Sequence, residues 1–377
     1  MVALARKTLI YEWRRFLPAI IAVAFAGLLQ LVQAALVLGI FSSASVYISG
    51  SRGDLWVGYP GTQSVNLGRP ISASVESRLL VDPQVTRVEP FLWVDADWRG
   101  SGDTGGISVF VSGIDPRAEG MLFSRSLDVA LRSRLREPDA VIVDRADLDN
   151  LGVQVGDSAT INGHSVHVVG VSDGLRALGG VNVVASLETA RHLDPTLAGG
   201  DKVTYLVASV RDPRRAGEVA ARLRGARAFG SYDVWTAAEF AHRSQMYWLL
   251  DTGAGAGVLF LAGIVFLAGA VVTSQTLMAA VLGSVREYAT LNALGVGVGA
   301  LRRVVMEQAF WVGALGVVGS SVIAALLLAL ARQYNVPVEL DSGVTSVCLA
   351  LVMGLAVVSG LAAMRSVRRA DPGSLLR

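Results

Sequence analysis

Few residues in this 377-residue chain have the types and spacing for covalent chemistry. His164 and His167 sit three apart in a β-branched run, where they would point to opposite faces of a strand and make a poor metal pair. Asp95 and Asp97 can share a strand face beside Trp93 and Trp98. With no histidine or third carboxylate nearby, a solvated acidic edge is the expected reading. Gly253-Ala-Gly-Ala-Gly257 has the look of a dinucleotide-binding turn, but it opens an apolar helix instead of following a strand. Close helix packing through small residues explains it better. No GxSxG, HExxH or CxxC occurs, and no glycine-rich loop ends in Gly-Lys-Ser/Thr. The expectation is a chain with no catalytic residues and no metal or cofactor of its own.

The remaining candidate chemistry is docking. Gly283 to Glu307 opens on the charged pair Arg286-Glu287 and continues with an apolar stripe at Ala289, Leu291 and Leu294. Glycines 295, 297 and 299 then break the run before a second helical stretch containing Leu301, Val304 and Val305. A short amphipathic helix hinged by glycines can lie in a groove on another protein. An ordinary interfacial connector would have the same pattern, and the residues alone leave both readings open.

The elements that must position this loop are apolar spans: Leu17–Phe41, then Val258–Val281, Ala309–Ala331 and Gly343–Met364. Crossing about 30 Å of hydrocarbon takes roughly 20 apolar residues in a helix. Charged residues are 17% of the chain, below the roughly 25% of soluble domains. The net charge of +2 comes with no basic stripe, so no nucleic-acid partner is expected. Secretory signal cores run about 7–15 residues, so the longer first span reads as an uncleaved anchor. Pro18 would fall in its first turn.

Positive charge sets the expected topology. Arg6, Lys7, Arg14 and Arg15 precede the first span; Arg286, Arg302 and Arg303 lie between the second and third; Arg365, Arg368, Arg369 and Arg377 follow the fourth. Four crossings from a cytoplasmic N-terminus put every basic cluster inside. The expected order is a cytoplasmic amphipathic helix (1–16), a first span (17–41) and an outer domain (42–247). A second span (248–281), a cytoplasmic coupling loop (282–308), a third span (309–331), a short outer loop (332–342), a fourth span (343–364) and a cytoplasmic tail (365–377) complete it. Gln30 and Gln33 share a face of the first span, and polar groups in hydrocarbon seek partners or water. They are candidates for a seam between subunits or toward substrate, or for bonds within one bundle. Gly313, Gly316 and Ser320 give the third span a small-residue side for close packing.

The outer region reads as α/β. Ile107–Gly113, Ala140–Val143, Ser165–Val171, Asn182–Ala185 and Val203–Val210 are strand candidates, Arg214–Arg224 is helical, and Asn162-Gly163 marks a hairpin. The single cysteine, Cys348, lies in the last span, so the outer region can hold no internal disulfide.

Arg286-Glu287 followed by Leu291 and Ala293-Leu-Gly295 resembles the R-E-x-x-x-L-x-A-L-G signature of FtsX/MacB-type permeases, the membrane subunits of type VII ABC systems. The ending Asp371-Pro372…Leu376-Arg377 is similar to that family's D-P-x-x-x-L-R, and Val155-Gly-Asp157 with Val169-Gly-Val171 is similar to an element of its outer domain. Asp54 to Pro70 resembles the DevC-like exporter subgroup. Asn292 departs from the Arg or Lys common there. The resemblance implies four transmembrane helices (one plus three) with a large α/β extracytoplasmic domain between the first and second. It implies a homodimer in the bacterial inner membrane with two copies of a separate ATPase, which holds the ATP and Mg. Arg286, Glu287, Tyr288, Leu291, Leu294 and Gly295 would couple to that ATPase. Relatives pair with a periplasmic adaptor and an outer-membrane channel. The resemblance further implies efflux of a hydrophobic or amphiphilic compound. FtsX-like regulators of cell-wall hydrolases are the alternative, and they have smaller outer domains.

Overall fold

The computed structural model describes residues 11–100, 106–225, 232–283, 297–334, 336 and 338–369. The chain divides into two units, residues 40–254 and residues 1–39 with 255–377. Helix α1 (Trp13–Ala44) leads from the second of these into the first.

The outer unit contains β1 (Leu55–Gly58), β2 (Ile71–Ser72), β3 (Val85–Gly100), β4 (Ile107–Ile114), α2 (Val129–Arg134), β5 (Ala140–Asp144), β6 (Ser158–Ile161), β7 (His164–Ser172) and β8 (Val181–Ser186). It continues with α3 (Leu187–Leu193), β9 (Lys202–Val203), β10 (Tyr205–Val210), α4 (Ala216–Gly225), β11 (Asp233–Thr236) and α5 (Ala237–Met246). The main sheet runs β11-β1-β10-β3-β4-β8-β5-β7-β6, and β6 also pairs with β3. Six strands therefore close into a ring, from β3 through β4, β8, β5, β7 and β6 back to β3. Strand β3 belongs to both parts: Val85–Phe91 pairs with β10, and Leu92–Trp98 pairs with β4.

Alternation sets the cores. Val94, Ala96, Trp98, Val109, Val111, Val141, Val143, Ile161, Val166 and Val183 are buried in one cluster, at the period of two that a strand demands. That cluster continues under α4 through Val219, Ala220 and Leu223. The opposite face of the flat part carries Trp56, Phe91, Tyr205 and Trp235, covered by Phe240 of α5. Their rings pack closely: Trp56 to Phe91 at 5.9 Å, and Trp235 stacked on Phe240 at 4.8 Å. The β6–β7 hairpin turns at Asn162 (φ 49°) and Gly163 (φ 86°), the left-handed pair its sequence demands.

Two expectations change here. Trp93 and Trp98 do not share a face: Asp95 and Asp97 are exposed, while Trp98 is fully buried and donates its indole N–H to Leu151 O at 3.1 Å. The run Val203–Val210 is not one strand but β9 and β10, separated by Thr204.

The other unit holds the rest of the apolar helices: α6 (Ala254–Gly283), α7 (Val298–Gln333) and α8 (Ser342–Arg369). With α1 they are, among the described residues, four helices long and apolar enough to cross a membrane, in the one-plus-three order. Helix α1 starts at Trp13, so Pro18 lies in its second turn and removes the N–H that would bond Arg14 O. Small residues set the packing. A Cβ on Gly316 would lie 2.6 Å from Val23 Cβ, one on Gly27 2.7 Å from Ser320 Oγ, and one on Gly269 2.9 Å from Ala26. Helix α1 is thus in close contact with both α6 and α7. Gly257, by contrast, meets nothing within 4 Å. Gly253 also meets nothing and takes φ 75° just before the helix, while Gly255 is buried, so any close packing expected of the run falls to Gly255.

Candidate functional site

The coupling residues Arg286, Glu287, Tyr288, Leu291, Leu294 and Gly295 lie outside the described residues, as do most of the N-terminal amphipathic stretch and the Asp371–Arg377 ending. What is described are the helix ends that bracket the loop. Helix α6 ends at Gly283, where a Cβ would lie 2.5 Å from the Arg15 guanidinium, and Arg15 also pairs with Glu12 at 2.8 Å. Helix α7 opens at Val298, with Arg302 and Arg303 in its first two turns. The helices on either side meet through α8: Gly360 sits against Ala309 of α7 and Leu277 of α6.

Gln30 and Gln33 are half-buried, and Gln30 Oε1 is shut off without a hydrogen-bond partner among the described residues. They lie one and two turns along α1 from the Ala26–Gly269 contact, so the first and second spans are neighbours there. Thr273 is buried and Thr276 bonds back to Val272 O at 2.8 Å, both consistent with packing.

Where the outer unit begins and ends, sequence reading missed a contact. Gln245 of α5 donates to Ser45 Oγ at 3.1 Å and to Phe41 O at 3.4 Å, fastening the end of α1. Just inside, Ala237 N donates to Asp54 O at 2.9 Å, and β1 pairs with β11 from Leu55↔Thr236 to Gly58↔Asp233. No local motif flags Gln245, since its partners lie 200 and 204 positions away. After α5 the chain passes through a π turn, Tyr247–Asp251, before Gly253.

Electrostatics in the outer unit are structural. Glu89 is almost fully buried, and burial pushes its carboxyl above the usual range, opposed by the bond from Met121 N and by Arg132. Arg132, equally buried, donates to Asp115 O at 2.8 Å and to Leu122 O. At Asp82 the Arg222 guanidinium, bonded at 2.8 and 3.0 Å, holds the carboxyl below its usual value. Among the described residues no group of three or more His, Cys, Asp or Glu is arranged to enclose a metal ion.

An outer α/β domain inserted after the first of four membrane helices, with the last three grouped behind it, defines a polytopic permease-like architecture. Two family models match this layout: a MacB-like periplasmic core domain over residues 17–226 and an FtsX-like permease C-terminal domain over residues 259–372. The chain belongs to the FtsX/MacB-like permease family, whose members are membrane subunits of ABC-type transport systems. Solved structures similar to it include the periplasmic region of MacB from Actinobacillus actinomycetemcomitans: 12% identity, 51% of this chain and 92% of that one, TM-score 0.35. Another is the extracellular domain of the noncanonic ABC-type transporter YknZ from Gram-positive bacteria: 13% identity, 49% and 100% coverage, TM-score 0.34. A third is a domain of a putative permease protein from Porphyromonas gingivalis: 12% identity, 50% and 92% coverage, TM-score 0.32. No curated protein matches the chain.

Proposed function

We propose that this permease transmits ATP-driven motion of a separate ATPase to its outer domain and so drives efflux of a hydrophobic or amphiphilic compound. Two copies of the chain work with two copies of the ATPase, which supplies the ATP and Mg site. The segment Arg286–Gly295 is the coupling helix, with Glu287, Tyr288, Leu291 and Leu294 meeting the ATPase. N- and C-termini face the cytoplasm of a bacterial inner membrane, and the α/β domain stands on the periplasmic side, where an adaptor and an outer-membrane channel can receive the substrate. The DevC-like pattern of Asp54–Pro70 belongs to the same proposal.

The observation that carries this reading is the continuity of α1. One unbroken helix runs from Trp13 to Ala44, packed through Ala26, Gly27 and Val23 in the bundle and fastened by Gln245 at its far end. This continuity supports a route by which movement of the bundle reaches the outer domain. The test is pull-down of a candidate ABC ATPase coexpressed with this chain. The double variant Leu291→Asp, Leu294→Asp is expected to lose copurification and stimulation of ATP hydrolysis. Unchanged copurification with unchanged stimulation would show that the coupling helix lies elsewhere.

A further inference from the structure

Three of the chain's four histidines gather at one end of the six-stranded ring. His164 opens β7 directly after the Asn162-Gly163 turn, and its ring lies 4.5 Å from that of His192, at the end of α3. Asn162 holds the two elements together by donating its side-chain amide to Leu193 O at 3.2 Å. His192 Nδ1 is 2.9 Å from Asp139 Oδ1. Asp139 itself is fixed in a left-handed conformation (φ 55°), with its carbonyl accepting from His167 N at 3.1 Å. His167 turns its own ring to Glu137, 3.5 Å away. The histidine pair that strand spacing denied to His164 and His167 is supplied instead by a helix 28 residues further along the chain.

We propose that His164 and His192 form a two-imidazole site for a divalent transition-metal ion, copper or zinc in type, with Asp139 orienting His192. A carboxylate that accepts the Nδ1–H of a histidine fixes its tautomer and leaves the Nε2 lone pair free for a metal, the usual carboxylate–histidine–metal order. Imidazole suits the copper-to-zinc end of the divalent series. The His192 side chain is 54% exposed and Asp139 32%, so an ion can reach the pair from solvent. Two histidines are half a coordination sphere, and water would supply the remaining ligands.

The experiment uses the full chain in detergent, purified without a histidine tag and stripped of metal. Titration with Zn2+ followed by calorimetry is expected to give one saturable site per chain. His164→Gln and His192→Gln should lose it, Asp139→Asn should weaken it about 10-fold or more, and His167→Gln and His242→Gln should leave it unchanged. Asparagine tolerates the left-handed conformation at 139, so that variant keeps the local backbone. The paramagnetic resonance spectrum of Cu2+ on the wild-type chain, which needs no variant, should show coupling to two nitrogens. Unaltered binding in His192→Gln or His164→Gln, no saturable binding at all, or fewer than two coupled nitrogens would each overturn the site. None of these readouts depends on transport or on the ATPase.

Discussion

Gln245 holds Ser45 at 3.1 Å, and through that bond the helix leaving the outer domain grips the helix that enters it. The same amide reaches Phe41 O, near the C-terminal end of α1, where carbonyls lack helical partners. Gln245→Leu removes both bonds while keeping the bulk of the side chain. Its expected effect is a several-fold fall in efflux from vesicles or cells, with ATPase copurification and basal hydrolysis retained. Equal efflux from the variant and the wild type would show that this fastening carries no motion.

The bundle makes a second, opposite-signed pair of expectations. At Gly316 an added methyl would strike Val23 Cβ at 2.6 Å and approach Ala24 N at 3.2 Å, so helix α1 must move; overpacking of this kind costs about 1–3 kcal/mol. At Gly354 a methyl meets nothing, and replacing an exposed helical glycine by alanine gains about 0.5–1 kcal/mol. Heating the two variants in detergent should therefore lower the unfolding temperature of Gly316→Ala and hold or raise that of Gly354→Ala. The reverse order would contradict the packing described.

Asp82 and Arg222 give a pH dependence. The Arg222 bonds lower the folded pKa of Asp82, so the pair stabilises above the unfolded aspartate value of about 3.9 and the contribution is lost as pH falls through the lower folded value. Arg222 is 48% exposed, so salt should screen the effect. Asp82→Asn should unfold at a lower temperature than wild type near pH 7, with the gap closing on acidification below pH 4. A gap that persists unchanged at low pH would assign the difference to packing instead.

Arg132 and Glu89 are each 1% exposed. Arg132→Ala leaves the buried Asp115 and Leu122 carbonyls without their donor, at about 1–3 kcal/mol for each unsatisfied group, and removes a positive charge near Glu89, which keeps Met121 N and Arg87. The double variant Arg132→Met, Glu89→Gln removes both charges and should be less destabilised than the sum of the single changes. Thermal unfolding of the four proteins checks this; strict additivity would mean the two charges do not interact.

The one-plus-three order of apolar helices was legible from sequence because apolar runs are long-range averages that no single contact can overturn. Strands with uninterrupted β-branched runs were equally legible: Ile107–Gly113 is β4 almost to the residue, and Asn162-Gly163 is the turn expected. The longest strand was not. Pro90 interrupts β3, and a proline argues against an interior strand. In the fold its missing donor does no harm. Phe91 O accepts from Thr204 N on the β10 side, so Pro90 points the other way, where pairing with β4 begins only at Leu92. Strands β1 and β11 are four residues each and flanked by turn formers, too short for periodicity to register. The contacts of Gln245 and the meeting of His164 with His192 depend on tertiary closure, for which spacing along the chain has no signal.

The pairing of Leu55 with Thr236 puts the first and last strand residues of the inserted domain side by side, with both chain ends leaving from the same edge of one short ladder. A tug that separates those ends would load the β1–β11 pairs one at a time, like a zipper opened from its slider, and antiparallel ladders are weakest in that direction. The Gln245 bonds and the Ala237–Asp54 bond stand ahead of the first tooth. Under the motion proposed above, a pull on the chain ends meets these bonds before it meets the sheet.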